Sequence, residues 1–334
     1  MPLRLIEVYI PINEYTKQIK EEILNFQNFG VWQDYITENQ KILRILVDAQ
    51  EANEILDQLE KKYSNLKDFR IILLPVQASI PRIDTESDKQ EQKTKKLNLA
   101  FGKSISREEL YNEIAESTNT NQFFIFLVIL SSIVASTAIL KNNVAVIIGA
   151  MVIAPLIGPN VALSLATTLG DKVLFKKSLK ANITGFLIAV AVSFLIGAIL
   201  YIDPNIPELA SRTKVGLSDI VLALASGSAG ALAYTMGLPT AIIGVMVAVA
   251  LLPPTVTFGM LMSSEHYSLA LGSLLLLFVN IICVNLSGVL TFLFQGVRPL
   301  TWWESKKAKQ ATKFAIFIWS VLLLILTILI IEFF

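Results

Sequence analysis

The sequence predicts an α-helical polytopic membrane protein that carries a small N-terminal α+β domain of ferredoxin-like order. Three observations predict it. Of 334 residues, 54% are hydrophobic and only 16% charged, with a mean hydropathy of +0.60; an ordinary soluble domain is roughly a quarter charged. The charge is concentrated in residues 1–120, and from Phe123 onward one apolar run follows another, several long enough to cross a bilayer. The first 80 residues instead alternate short strand-like and helix-like patterns.

The N-terminal elements are read in order. Residues 3–10 alternate in part and are rich in β-branched and aromatic side chains, a strand. Over 13–29, Ile19, Ile23, Leu24 and Phe26 recur at helical spacing among Lys, Glu and Gln, with Gly30 as the stop. Two strands follow at 31–37 and 42–47, joined by a turn near Glu38 and Asn39. Asp48 is placed to cap a helix over 49–62 with Ile55, Leu56 and Leu59 inward, and 69–76 is a last strand whose ladder Pro75 ends. The order β-α-β-β-α-β over residues 1–80 is ferredoxin-like, a sheet covered on one face by two helices. Such a domain hosts many functions. Without a metal cluster, a triad or a phosphate loop, it reads as an assembling cap for a homo-oligomer or as a regulatory domain for a small ligand.

Residues 81–103 form a polar linker, poor in apolar side chains. Over 104–120, Ser106 and Glu109 have capping-box spacing and open a short amphipathic helix with Ile105, Leu110 and Ile114 apolar, expected on the cytoplasmic membrane surface. The transmembrane domain occupies 121–334 with seven spans, near 123–140, 143–169, 180–200, 217–235, 238–262, 267–294 and 313–332. Lys172, Lys176, Lys177 and Lys180 follow the second span, and Arg298, Lys306, Lys307, Lys309 and Lys313 follow the sixth. Both groups belong in the cytoplasm by the positive-inside rule, with the N-terminus inside, the C-terminus outside and Trp302 and Trp303 at the inner interface. The absence of a signal-peptide pattern agrees with a cytoplasmic N-terminal domain.

Displaced by 95 positions, the chain matches itself. Ile147, Ile148, Gly149, Met151, Val152, Leu156 and Pro159 fall on Ile242, Ile243, Gly244, Met246, Val247, Leu251 and Pro254, and the register extends to Ser131 on Ser226 and Val161 on Val256. Both copies of the motif lie in overlong runs interrupted near the middle, by Pro155, Gly158 and Pro159 in one and by Pro253 and Pro254 in the other. Repeats near 123–200 and 217–294 with three spans each would be inserted in opposite senses. Paired broken helices in an inverted repeat are a mark of secondary transporters, with the site near the bilayer midplane.

A substrate or ion path is therefore expected at Pro155, Gly158, Pro159, Asn160, Ser164, Pro253, Pro254, Thr255 and Thr257, because freed carbonyls and helix ends are tolerated at membrane depth only inside protein or beside a wet cavity. An interior proline would cost about 3 kcal/mol. Packing kinks satisfied by neighbouring hydroxyls are the structural alternative. Gly149, Gly244, Ser226, Gly227 and Gly230 are candidates for close helix packing, and Asn280 and Asn285 should face protein rather than lipid. No ionisable residue lies deep in the first six spans, which argues against a buried carboxylate proton relay. The single cysteine, Cys283, excludes an intrachain disulfide or a cysteine-based zinc site, and a net charge of +1 points away from nucleic acid. No cofactor or metal is expected. No nucleophile–base pair or metal cluster suggests an enzyme.

The run from Gly149 to Pro159, Gly-Ala-Met-x-x-Ala-Pro-x-x-Gly-Pro, with Ser131 to Ala135 before it, resembles the family of the domain of unknown function 389, also called the uncharacterised hydrophobic domain. Residues 4–9 and 104–111 resemble members with a cytoplasmic extension. The resemblance spans nearly the whole chain and implies a prokaryotic plasma-membrane location, but it carries over no substrate and no site residues. The functions left open are a permease for a small solute or ion, a channel gated by the cytoplasmic domain, and a membrane sensor or scaffold that transports nothing.

Overall fold

The computed structural model describes residues 3–11, 15–37, 40–64, 66, 68–76, 107–238, 251–297 and 302–333. They belong to two compact units, Met1–Glu109 and Leu110–Phe334. The first contains β1 (Leu3–Pro11), α1 (Tyr15–Leu24), β2 (Gly30–Thr37), β3 (Gln40–Asp48), α2 (Ala49–Tyr63) and β4 (Arg70–Val76). The strands form one antiparallel sheet in the order β2-β3-β1-β4. Ile6 lies opposite Ile45 and Leu73, and Val8 opposite Leu43 and Ile71. Successive strand residues point to opposite faces, so Ile6, Val8, Ile10, Leu43, Ile45 and Val47 share one face. Ile19 and Ile23 of α1 and Ala52, Ile55, Leu56 and Leu59 of α2 close over it. Each large aliphatic side chain buried there contributes roughly 1.5–3 kcal/mol.

Several local expectations need correction. Helix α1 ends at Leu24, where Asn25 and Phe26 donate their N–H groups three residues back in a tight turn and Asn28 bonds the Phe26 carbonyl. Asn side chains compete with the helix backbone in this way. Gly30 opens β2, paired with Leu46, rather than stopping a helix. Pro75 does not end β4: it pairs with Arg4, and Val76 continues the ladder opposite Leu3. β4 is an edge strand, where a missing N–H can face the open side. Asp48 occupies the cap position of α2 but makes no side-chain cap bond. Glu109 receives Arg4, with Nη2 at 2.8 Å. The turn at 38–39, the linker and Ser106 lie outside the described residues.

The described helices of the second unit are α3 (Arg107–Glu116, in this unit from Leu110), α4 (Gln122–Leu140), α5 (Val144–Ile153), α6 (Ile157–Leu169), α7 (Lys172–Ile199), α8 (Pro207–Ala210), α9 (Leu217–Thr235), α10 (Leu252–Ser263), α11 (Tyr267–Phe294) and α12 (Trp302–Phe333). Four of them, α4, α7, α9 and α11, are long and apolar enough to cross a membrane; α5 and α6, bent by 54°, make a fifth if counted as one broken span. Seven spans are not reached among the described residues: 239–250 lie outside them, α10 is 12 residues long, and α12 carries a shorter apolar stretch, Thr312–Ile328.

The lysines expected in a loop after the second span are helical. Asp171 accepts N–H bonds from Val173 at 2.8 Å and Leu174 at 3.0 Å, so α7 starts at Lys172, and Lys172, Lys176, Lys177 and Lys180 are exposed on its first turns.

Helix boundaries carry the 95-residue register. The starts of α4, α6 and α7, at 122, 157 and 172, correspond to those of α9, α10 and α11 at 217, 252 and 267. The ends at 140 and 199 correspond to 235 and 294. The left-handed turn residues correspond as well, Asn142 with Gly237 and Gly170 with Glu265. Packing between the halves is reciprocal. Ser164 on α6 abuts Gly288 on α11, while Gly259 on α10 abuts Ser193 on α7. Positions 164 and 259, like 193 and 288, are one register apart, so each half meets the other through the same pair of positions.

Candidate functional site at the broken helix

The break follows from Pro155. Ala154 donates the last bond of α5, to Ala150 at 3.1 Å, and takes an extended conformation (ψ 117°), as the residue before a proline is driven to do. Helix α6 begins at Ile157, so Gly158 and Pro159 are its second and third residues. Pro253 and Pro254 hold the same places in α10. The first N–H groups of a helix have no partner within it, so prolines there remove no helical bond. The cost expected for prolines inside a helix does not arise.

Gly158 is pressed against the segment before α4: a Cβ on it would lie 2.5 Å from Ser117 Cβ. A Cβ on Gly185 would meet Leu156 Cδ2 at 2.6 Å and Phe124 Cζ at 3.4 Å. Phe124 is the third residue of α4, so the break stands level with the start of that helix rather than with its middle.

Beside the break lies a buried cluster of neutral amides. Asn160 Nδ2 donates to Leu156 O at 3.1 Å and to Asn182 Oδ1 at 2.7 Å. Asn285 Nδ2 donates to Asn160 Oδ1 at 3.3 Å and to Ile281 O at 2.8 Å. Ser164 Oγ donates to Asn285 Oδ1 at 3.2 Å. Asn160 and Asn285 are fully buried and Asn182 is 4% exposed; its Nδ2 has no partner among the described residues.

Of the residues expected to line a path, Asn160 and Ser164 join this cluster, with Gly158 and Pro159 buried next to it and Pro155 half-buried in the break. On α10, Pro253 and Pro254 are buried, Thr255 Oγ1 donates to Leu251 O at 2.7 Å, and Thr257 Oγ1 is buried without a partner among the described residues. No hydrogen bond among the described residues joins Asn160 or Ser164 to Thr255 or Thr257, and residues 239–250, which precede α10, lie outside the described residues. Asn285, read from the sequence as a helix-contact residue, belongs to the cluster. Asn182 was not singled out, although a lone Asn in an apolar run is a signal of the same kind as Asn280 and Asn285. Gly227 lies close to α11, where a Cβ would meet Val284 Cα at 2.7 Å. Gly230 is buried and Ser226 half-buried, while the Cβ position of Gly149 is open. Gly244 lies outside the described residues. No His, Cys, Asp or Glu group among those residues could hold a metal.

At its other end α6 stops at Gly170 in the left-handed conformation (φ 69°), with Asp171 N–H bonded to Ala166 O at 2.9 Å. Thr312 Oγ1 donates to the carbonyls of Thr167 and Thr168 at the same end. Tyr111 Oη donates to Asp171 at 2.7 Å. Burial alone would raise the Asp171 carboxyl; the bonds from Tyr111 and the Leu174 and Val173 N–H groups outweigh it and hold the carboxyl below its usual range. Burial, then the bond to Asp171, pushes the Tyr111 phenol up to about 12.

The signs follow. Stabilisation through Asp171 is present above the ordinary carboxylate pKa and lost as pH falls through the lowered one; through Tyr111 it is present below the ordinary phenol pKa and lost as pH rises through about 12. Asp171→Ala should cost about 0.5–2 kcal/mol at neutral pH. In thermal melts across pH, the difference from wild type should shrink as the medium becomes strongly acidic. A gap unchanged down to acid pH would show that the carboxylate does not cap α7.

Residues 151–286 match the family model described as domain of unknown function (DUF389). An uncharacterized protein of Methanocaldococcus jannaschii is 32% identical over 337 residues, an alignment covering 99% of this chain and 99% of that one. No solved structure matches the chain.

Proposed function

This chain belongs to the DUF389 family, a membrane protein by its apolar helices, and we propose that it is a permease that passes a small solute or ion beside the break between α5 and α6. The observation that carries this reading is the buried amide cluster at the uncapped start of α6, with a donor on Asn182 that has no partner among the described residues. Burying an unpaired amide in an apolar helical bundle costs roughly 1–3 kcal/mol, so a fold that keeps one is supported by a use for it. The reciprocal contacts of the two halves support reading them as inverted copies, and a half-helix start beside a polar cluster is where transporters of that kind bind solute.

The rest of the reading follows from the sequence. The exposed lysines on α7 face the cytoplasm of a prokaryotic cell with the N-terminal domain, and the C-terminus lies outside. The N-terminal domain is ferredoxin-like and serves assembly of a homo-oligomer or regulation by a small ligand. The chemistry is passage without an enzymatic step and without a cofactor.

Purified full-length protein in liposomes should show saturable uptake of one member of a panel of small radiolabelled solutes, above empty vesicles, with or without a sodium or proton gradient. Unsaturable single-channel currents would move the reading to a channel. Neither flux nor current across the panel would leave a sensor or scaffold.

A further inference from the structure

The three carboxamides of the cluster run head to tail. Ser164 donates to the oxygen of Asn285, Asn285 to the oxygen of Asn160, and Asn160 to the oxygen of Asn182, which leaves the Asn182 Nδ2 at the far end. The direction is fixed by the partners: turning Asn182 over would set its N–H groups against those of Asn160. Amides aligned in this way polarise one another, so the terminal donor is strengthened. The oxygens of the chain are already accepting bonds, and what the open end lacks is an acceptor.

A second donor group lies at the start of α6, the helix that carries Asn160. Helix α6 has no side-chain cap at Leu156 and no acidic residue in its first turn. Asn160 ties the chain of amides to that turn through Leu156 O. The N–H groups of Ile157 and Gly158 are unbonded within the helix, at its positive end. On α7, Lys180 is exposed two residues before Asn182, and Lys172, Lys176 and Lys177 precede it on the same exposed end, a field that concentrates anions.

We propose that Asn182 Nδ2 and the first turn of α6 bind a small monovalent anion, and, resting on the permease reading, that an anion of this class is the solute. Binding is tested first, on the full-length protein in detergent, by thermal unfolding in sodium chloride, nitrate, formate and bicarbonate against sodium gluconate at equal ionic strength, and in potassium and choline gluconate. At least one of the four anions should raise the melting temperature saturably, and exchange of cations should not. Asn182→Asp keeps an oxygen for Asn160 but replaces the open donor with a negative acceptor; it should weaken the anion effect by about tenfold or more. Asn182→Gln keeps a donor and should lose less. If Asn182→Asp does not fold, the wild-type salt series still decides.

No saturable response to any of the four anions, a response to cations alone, or full anion binding in Asn182→Asp would overturn the site. Flux in liposomes then separates the two claims. Anion binding without uptake would sink the permease and keep the site, whereas uptake of a neutral solute or a cation without anion binding would do the reverse.

Discussion

Leucine at position 259 is expected to prevent assembly of the membrane unit. Helix α10 lies so close to α7 that a Cβ on Gly259 would overlap Ser193 Oγ, lie 2.8 Å from the Val190 carbonyl oxygen and 3.1 Å from the Phe194 nitrogen. Backbone cannot rotate away as a side chain can, and the Val190 oxygen already accepts from Ser193. Ordinary overpacking costs roughly 1–3 kcal/mol; a leucine against backbone should exceed that range. The matching contact of the other half is looser, since a Cβ on Gly288 meets only the Ser164 side chain, at 2.8 and 3.0 Å. Gly288→Ala should therefore cost less than Gly259→Ala. Adding Ser193→Gly should rescue Gly259→Ala only in part, because the backbone contacts remain. Gel filtration in detergent with thermal melts would rank the variants. A monodisperse Gly259→Leu protein melting with wild type would contradict the close approach.

Gly158→Leu should reduce uptake by at least about tenfold, whereas Pro159→Ala with Pro254→Ala should leave the protein inserted and stable. The leucine would have to displace Ser117, 2.5 Å from the ideal Cβ, in a turn that also holds Asn160 through Leu156 O. A displacement of about an ångström at a binding turn is enough for a loss of this size. The prolines are different. Both sit at the third position of a helix, where proline removes no bond and fixes a favourable φ. Alanine there should change stability by about 1 kcal/mol or less, mainly through the unfolded chain. Parallel uptake assays and melts on the two proteins would decide. Loss of fold in the double alanine variant would mean the prolines hold the helices open, and wild-type uptake by Gly158→Leu would remove the break from the path.

Much of this was legible because it depends on neighbours in sequence. Alternation in β1 and β3 and helical spacing in α2 gave the sheet face and its cover, since periods of two and 3.6 follow from backbone geometry alone. The interrupted apolar run around Pro155 located the break between α5 and α6, and Asn160 and Ser164 stand out in the sequence as polar residues beside it. The errors were of two kinds. The end of α1 and the place of Pro75 were misread where side chains competed with backbone or where a strand's position in the sheet mattered. Prolines were read as interior defects because an apolar run does not show where one helix stops and the next begins.

Composition and period thus determined by themselves the apolar helical class of the chain, the order of its N-terminal elements and the break at Pro155, all of them properties of residues close together along the chain. Tertiary structure decided which amides meet. Asn160 finds Asn182 22 residues away and Asn285 125 residues away, and the direction of the hydrogen bonds, which leaves a donor open, exists only once three helices are packed. It also separated Gly259 from Gly149, alike as glycines in apolar runs: the first touches the backbone of another helix and the second touches nothing. The difference lies in interhelical distance, which sequence spacing does not encode.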